Sequence, residues 1–204
     1  MQLTSWIASF ILLTGLLTHS IGGYCQIPNS RSKTLIADFR LRDVNGSFYD
    51  LSETQDAKGV ILVFICNHCP MAKSYYGTLN SLQARFSKLG YPVVAINPMD
   101  SVQYEEESWN QMRLVAKSGK FNFPYLQDIN QVVAQRLKVS YTPEAFVLTK
   151  ANKLWRVSYQ GAIDDGLSGK RKSGIEKAVS ELLSHKPVST PNMPTAGCAV
   201  YYRK

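Results

Sequence analysis

Five apolar side chains, Val60-Ile61-Leu62-Val63-Phe64, follow one another without a polar interruption, and Gly59 and Ile65 extend the run at either end. A run of that length with no alternation reads as a strand buried on both faces. Such a strand needs helices above and below it, so this segment constrains the fold more than any other in the chain.

The flanking pattern supplies those helices. From Pro70 to Leu89 the spacing of Tyr75, Leu79, Leu82, Phe86 and Leu89 draws one apolar stripe and predicts a single long helix, with Pro70 at its first position and Gly90 beyond its end. Pro92 to Ile96 predicts a second buried strand. Asp100 or Ser101 is expected to cap a helix, with Glu105 to Glu107 near its positive end, Trp109 and Met112 facing inward and Gly119 closing it. Phe123 to Leu126 predicts a short strand, and Asp128 a cap for a helix around Val132 to Leu137. Glu144 to Thr149 and Leu154 to Gly161 read as a hairpin. A last helix starts at Ser173, with Glu176 completing a capping box, an apolar face of Ile175, Ala178, Val179, Leu182 and Leu183, and Pro187 as its stop. Upstream, Leu35 to Leu51 reads as two short strands turning at Asn45-Gly46. Alternating strands and helices imply an α/β sheet covered on both faces, to which the hairpins add antiparallel strands.

Cys66 and Cys69 stand where the central strand gives way to the long helix. Open α/β sheets present their reactive groups at this end. Two cysteines separated by Asn67 and His68 can close a disulfide, and amides at a helix start favour a thiolate, the species that attacks disulfides. Pro143, in Tyr141-Thr142-Pro143-Glu144 just before a strand, is a candidate cis proline.

These features resemble a known family. The order of elements, Cys-x-x-Cys at the first long helix and Thr-Pro before the closing hairpin resemble the thioredoxin fold: a central mixed sheet flanked by helices, here with an N-terminal β-hairpin extension. Ala37-Asp38-Phe39 with Leu41, Asp43, Asn45 and Gly46 is similar to the opening of the redoxin and alkyl-hydroperoxide-reductase (thiol-specific antioxidant) superfamily. Cys66-Asn67-His68-Cys69-Pro70 with Lys73, Ala95-Ile96-Asn97 and Gly197-Cys198 resemble one bacterial subfamily of it. The resemblance implies that Cys66 and Cys69 are the redox pair, that Asn67, His68 and Lys73 modulate it, and that Thr142 and Pro143 lie against it and contact a partner. It implies no cofactor. His68, at the second intervening position, is expected to lower a thiol pKa and make the pair more oxidising than a thioredoxin's. Which cysteine attacks stays open, because Pro70 at a first helical position would make Cys69 the N-cap.

The implied function is a thiol–disulfide oxidoreductase acting on protein thiols and disulfides with a redox partner protein. A thiol peroxidase would resemble Pro-x-x-x-Thr/Ser-x-x-Cys, and neither cysteine fits: Val63 precedes Cys66 by three, and Cys66 itself precedes Cys69 by three. A copper(I)-delivery module would suit two soft thiolates, but no methionine-rich or histidine-rich tract accompanies them. A zinc site would need a second close pair of ligands beside Cys198, His185 and His68, so no metal is expected. Cys198 reads as an unpaired tail thiol, dispensable for turnover, and Asp164-Asp165 as a solvated turn.

Trp6 to Thr18 is almost wholly apolar and shorter than the ~20 residues that span a bilayer. With small Gly23 and Cys25 before Gln26, residues 1–25 read as a cleaved signal peptide, although no Lys or Arg precedes the apolar run. An uncleaved anchor and a lipoprotein attached through Cys25 are the alternatives; membrane contact is expected only through this segment if it is retained. The expected location is the periplasm or cell envelope. Residues 26–34 read as a flexible segment, 35–186 as the domain and 187–204 as an extended tail. The formal charge of +8 includes one dense run, Lys170-Arg171-Lys172, with no nucleic-acid-binding motif beside it, which reads as a solvated basic surface.

Overall fold

A computed structural model describes residues 34–54, 56–166 and 173–203; the expected signal segment, the polar stretch after it and the Lys170-Arg171-Lys172 run lie outside the described residues. The central strand is β4, Gly59–Phe64, and every residue of it is buried. On one side it pairs in parallel with β5 (Val93–Asn97), which pairs in parallel with β6 (Tyr125–Gln127). On the other it pairs antiparallel with β8 (Glu144–Ala151), which forms a hairpin with β9 (Leu154–Gly161). The predicted four-residue connection tightens to Asn152-Lys153, with Asn152 at φ 59°.

The N-terminal hairpin is present as β2 (Arg40–Asp43) and β3 (Phe48–Asp50), joined to the β6 edge, with Gly46 at φ 98° in its turn. The residues before it form a separate short strand, β1 (Leu35–Ile36), on the opposite edge against β9. Two residues are too few to show periodicity. The full order is β1-β9-β8-β4-β5-β6-β2-β3, a mixed α/β sheet of eight strands.

The predicted long helix is broken. Helix α1 (Pro70–Ser74) ends at Tyr75, and α2 (Tyr76–Phe86) continues beyond it. Tyr75 sends its hydroxyl to Asp164 Oδ1 at 2.7 Å. That contact overturns the reading of Asp164 as part of a solvated turn: the residue is buried. The last turn, Ser87–Leu89, is 3₁₀, and Gly90 closes it at φ 87°. A 3₁₀ turn advances each residue further round the axis than an α-turn. Leu89 therefore leaves the apolar stripe and is exposed.

Asp100 and Ser101 do not cap the next helix. Asp100 closes its own turn by accepting from the Val102 N–H at 2.8 Å, and Glu105–Glu107 form a separate 3₁₀ turn. Helix α3 (Trp109–Ser118) begins only after Ser108. Asp128 does cap α4 (Val132–Leu137), accepting from the N–H groups of Val132, Val133 and Ala134 at 2.9, 3.0 and 2.9 Å. Ser173 caps α5 (Gly174–Leu183) by accepting from Glu176 N at 3.1 Å, while the Glu176 carboxylate faces Arg85 at 3.2 Å. Helix α5 stops before Pro187, with His185 at φ 55° beyond its end.

The tail after α5 returns to the sheet instead of leaving it. Gln160 N donates to Pro191 O and Met193 N to Gln160 O, at 2.9 and 3.0 Å. Then β10 (Cys198–Ala199) pairs antiparallel with β7 (Tyr141–Thr142). Gln131 Nε2 holds Tyr201 O at 2.9 Å, the Tyr202 hydroxyl donates to Val139 O at 2.6 Å, and the Arg203 guanidinium pairs with Asp100. Tail hydrogen bonds of this kind follow from polar side chains scattered through the chain, which leave no periodic trace. Among the described residues, no helix is long and apolar enough to cross a membrane.

Candidate active site

The site forms where β4 ends. Phe64 is its last residue, Ile65 stays buried, and the chain reaches Cys66, fully buried, and Cys69, 1% exposed. Cys69 has the extended backbone of an N-cap (φ −67°, ψ 116°), and Pro70 occupies the first position of α1. The Thr142–Pro143 peptide bond is cis. Thr142 touches both cysteines: its Oγ1 lies 3.0 Å from Cys66 Sγ, and its carbonyl accepts from Cys69 Sγ at 3.3 Å. Beside Pro143 and Met71 runs a groove of about 310 Å³ that continues past Tyr75, Ile163 and Pro194.

Between the cysteines the loop is held by a carboxylate that the sequence placed elsewhere. Glu107, expected at the start of a helix, is fully buried behind the loop. It accepts from Asn67 N at 2.9 Å, His68 N at 2.9 Å, His68 Nδ1 at 2.7 Å and Asn97 Nδ2 at 2.7 Å. A carboxylate only accepts, so the imidazole proton on this side sits at Nδ1. Asn67 completes the frame, donating from Nδ2 to Glu106 O at 2.7 Å and accepting the Tyr125 hydroxyl at 3.0 Å. One acid in a run of three carries no motif; only its adjacency to apolar Trp109 and Met112 hinted that part of the run turns inward.

The structure corrects two expectations about neighbours. His68 stacks on Tyr104, with ring centres 5.8 Å apart, and its Nδ1 serves Glu107. The contacts that set the thiol pKa values come from other groups. Lys73 stands exposed on α1, outside the cluster. In contrast, Cys198, read as an unpaired tail thiol, is brought by β10 opposite Thr142, the residue whose carbonyl accepts from Cys69 Sγ.

The three thiols are not equivalent. Burial pushes Cys66 up to about 12, and the negative charge of Glu107 adds to it against the opposing Thr142 hydroxyl. Burial also pushes Cys69 up, but contacts from the Cys198 thiol and from the N–H groups of Ala72, Cys198 and Met71 outweigh it, leaving this thiol below its ordinary value. Cys198 is pushed up to about 11, first because it donates to Cys69 and then by burial. One ligand atom each from Cys66, His68 and Glu107 lie within 4.8 Å of one another. The carboxylate lone pairs already accept from two backbone and two side-chain donors, which suits a positioning role better than a metal ligand.

A sheet with this order, closed by a hairpin after a cis proline and carrying cysteines at the strand–helix junction, is a thioredoxin-like fold. An exposed lipoprotein thioredoxin of Streptococcus pneumoniae strain TIGR4 shares it, with a TM-score of 0.54 at 19% identity over 73% of this chain and 99% of that one. Within that class the chain belongs to the AhpC/TSA family, whose model matches residues 33–157. A hypothetical protein of Sinorhizobium meliloti 1021 is 30% identical, with a TM-score of 0.75 over 83% of this chain and 93% of its own. A curated relative, glutathione peroxidase 1 of Helianthus annuus, is 25% identical over 103 residues, which are 50% of this chain and 60% of that protein's length.

Proposed function

We propose that this protein is an exported thiol–disulfide oxidoreductase that exchanges disulfides with protein thiols and works with a redox partner protein in the periplasm or cell envelope. One observation carries the reading. Cys69, the thiol favoured to ionise, lies at the start of α1 against the Thr142 carbonyl, beside the groove along Pro143. A thiolate there attacks one sulfur of a partner's disulfide, forms a mixed disulfide and expels the other sulfur as a thiolate. A second thiol of this chain then attacks the Cys69 sulfur and releases the partner reduced. Cys66 is the candidate within the Cys-x-x-Cys motif, and Asn67 and His68, tied to Glu107, hold the loop between the pair. Thr142 and Pro143 meet the partner. The apolar segment within residues 1–25 supports export.

The test is reduction of a protein disulfide by the wild type and by Cys69→Ser. The variant should fall to the uncatalysed background; full activity in Cys69→Ser would end the proposal. The glutathione peroxidase relative favours a second reading, peroxide reduction. Hydrogen peroxide consumption at a rate exceeding disulfide exchange would select it.

A further inference from the structure

We infer that Cys198, carried by the tail strand β10, is the thiol that closes on Cys69 and resolves its mixed disulfide. The inference deepens the reading above and rests on Cys69 as the attacking group.

Register and packing carry it. Cys198 lies directly opposite Thr142 in the antiparallel β7–β10 pair. Directly opposed residues of such a pair project to the same face. The Thr142 side chain points at Cys66 and reaches Cys198 O at 3.5 Å, so the Cys198 side chain enters the same cluster, where Cys69 Sγ lies 3.3 Å from Thr142 O and the Cys69 and Cys198 thiols perturb each other's ionisation. Gly197 permits that approach: it has φ 153°, and a Cβ on it would stand 2.1 Å from Thr142 O. Any other residue would hold β10 away from β7. The further tail is fastened by Val200 N to Ser140 O at 3.0 Å and by the Gln131, Val139 and Asp100 contacts beyond it. Cys66, in contrast, is fully buried just beyond an all-buried strand, and its sulfur is engaged by the Thr142 hydroxyl.

The chemistry balances. In the mixed disulfide, Cys69 Sγ is bonded to a partner sulfur. Cys198 gives up its thiol proton and its sulfur attacks Cys69 Sγ. The Cys69–Cys198 bond forms as the bond to the partner breaks, and the partner sulfur leaves with the electron pair and takes up a proton. Cys69 and Cys198 together lose two electrons to the partner's disulfide, and a dithiol reductant returns them.

The linkage can be read directly on the full chain. Cys66 and Cys69 share one tryptic peptide, residues 59–73, while Cys198 falls in residues 178–203. The reduced protein is treated with glutathione disulfide, alkylated, digested and mapped by mass spectrometry. The expected main product joins 59–73 to 178–203 with Cys66 alkylated, and it persists in Cys66→Ser. In Cys198→Ala, glutathione should stay on Cys69, raising that adduct by at least about tenfold over wild type. A disulfide within 59–73, a link through Cys25, or an adduct that accumulates in Cys66→Ser instead overturns the inference while leaving oxidoreductase activity in place. If glutathione never attaches to Cys69 and protein disulfides are not reduced, the proposed function falls with it.

Discussion

Cys69 has a thiol on either flank, and the two flanks are built by opposite means. On one side Cys66 follows Ile65 out of β4, a strand sealed in apolar packing between β5 and β8, with Phe64 against Phe146 edge-to-face at 5.7 Å. On the other, Cys198 rides a two-residue strand that is only half-buried and held by hydrogen bonds and one ion pair. Burial of this kind yields roughly 25 cal/mol per Å² and cannot be undone in part. Hydrogen bonds at a partly wetted surface contribute about 0.5–1.5 kcal/mol each and open singly. A thiol that must attack, bond and withdraw belongs on the flank that can move. The flank that cannot move fixes the position of the loop.

That contrast can be broken first at the sulfurs. With Cys66 pushed up to about 12 and Cys69 held below its ordinary value, Cys69 should carry by far the larger thiolate population near neutral pH. Alkylation by iodoacetamide near neutral pH should modify Cys69 and spare Cys66. A lowered pKa means that Cys69 keeps its thiolate further down in pH than a free cysteine, so its rate should fall off later on acidification. Equal labelling of the two would dissolve the distinction between the flanks.

Leu62→Ala, in the fully buried centre of β4, should cost about 2–5 kcal/mol in denaturant unfolding and leave the order of thiol reactivity unchanged. Gly197→Ala should do the reverse. Its cost, on the order of 1–3 kcal/mol, should fall on the tail alone. Faster hydrogen exchange at Val200 N, with little change at the β4 amides, would report it. If instead the unfolding midpoint drops as far as in Leu62→Ala, the tail is part of the core.

The smallest effect concerns the Arg203–Asp100 pair. The guanidinium hydrogen bond holds the Asp100 carboxyl down at about 2, against an ordinary 3.8. A depressed carboxylate supports the folded tail above its ordinary value and loses that support as pH falls through about 2. Arg203→Ala should therefore quicken exchange at the tail amides slightly, less so in high salt, and leave global unfolding unmoved.

The sheet was legible because β4, β5 and the β8–β9 hairpin are long enough to show pattern, and the caps at Asp128 and Ser173 act on amides only a few residues away. Cys66 and Cys69 announced themselves by spacing, and Pro70 already hinted that Cys69 would be the N-cap. What stayed hidden depends on distance along the chain. Glu107 meets Asn67 and His68 across forty residues or so, and Cys198 meets Cys69 only because β10 pairs with β7. The break at Tyr75 likewise needs Asp164, far downstream. Local periodicity carries no information about such meetings.

Glu107 has one more consequence. Its negative charge adds to the upward push that burial gives Cys66, and more weakly to that on Cys198. The carboxylate that orders the Asn67-His68 loop thus works in the same direction as burial: both favour the protonated form of the two thiols that flank Cys69. Thiols exchange only with an existing disulfide, so free sulfurs packed around one threonine have nothing to react with until a partner brings an oxidised bond to them.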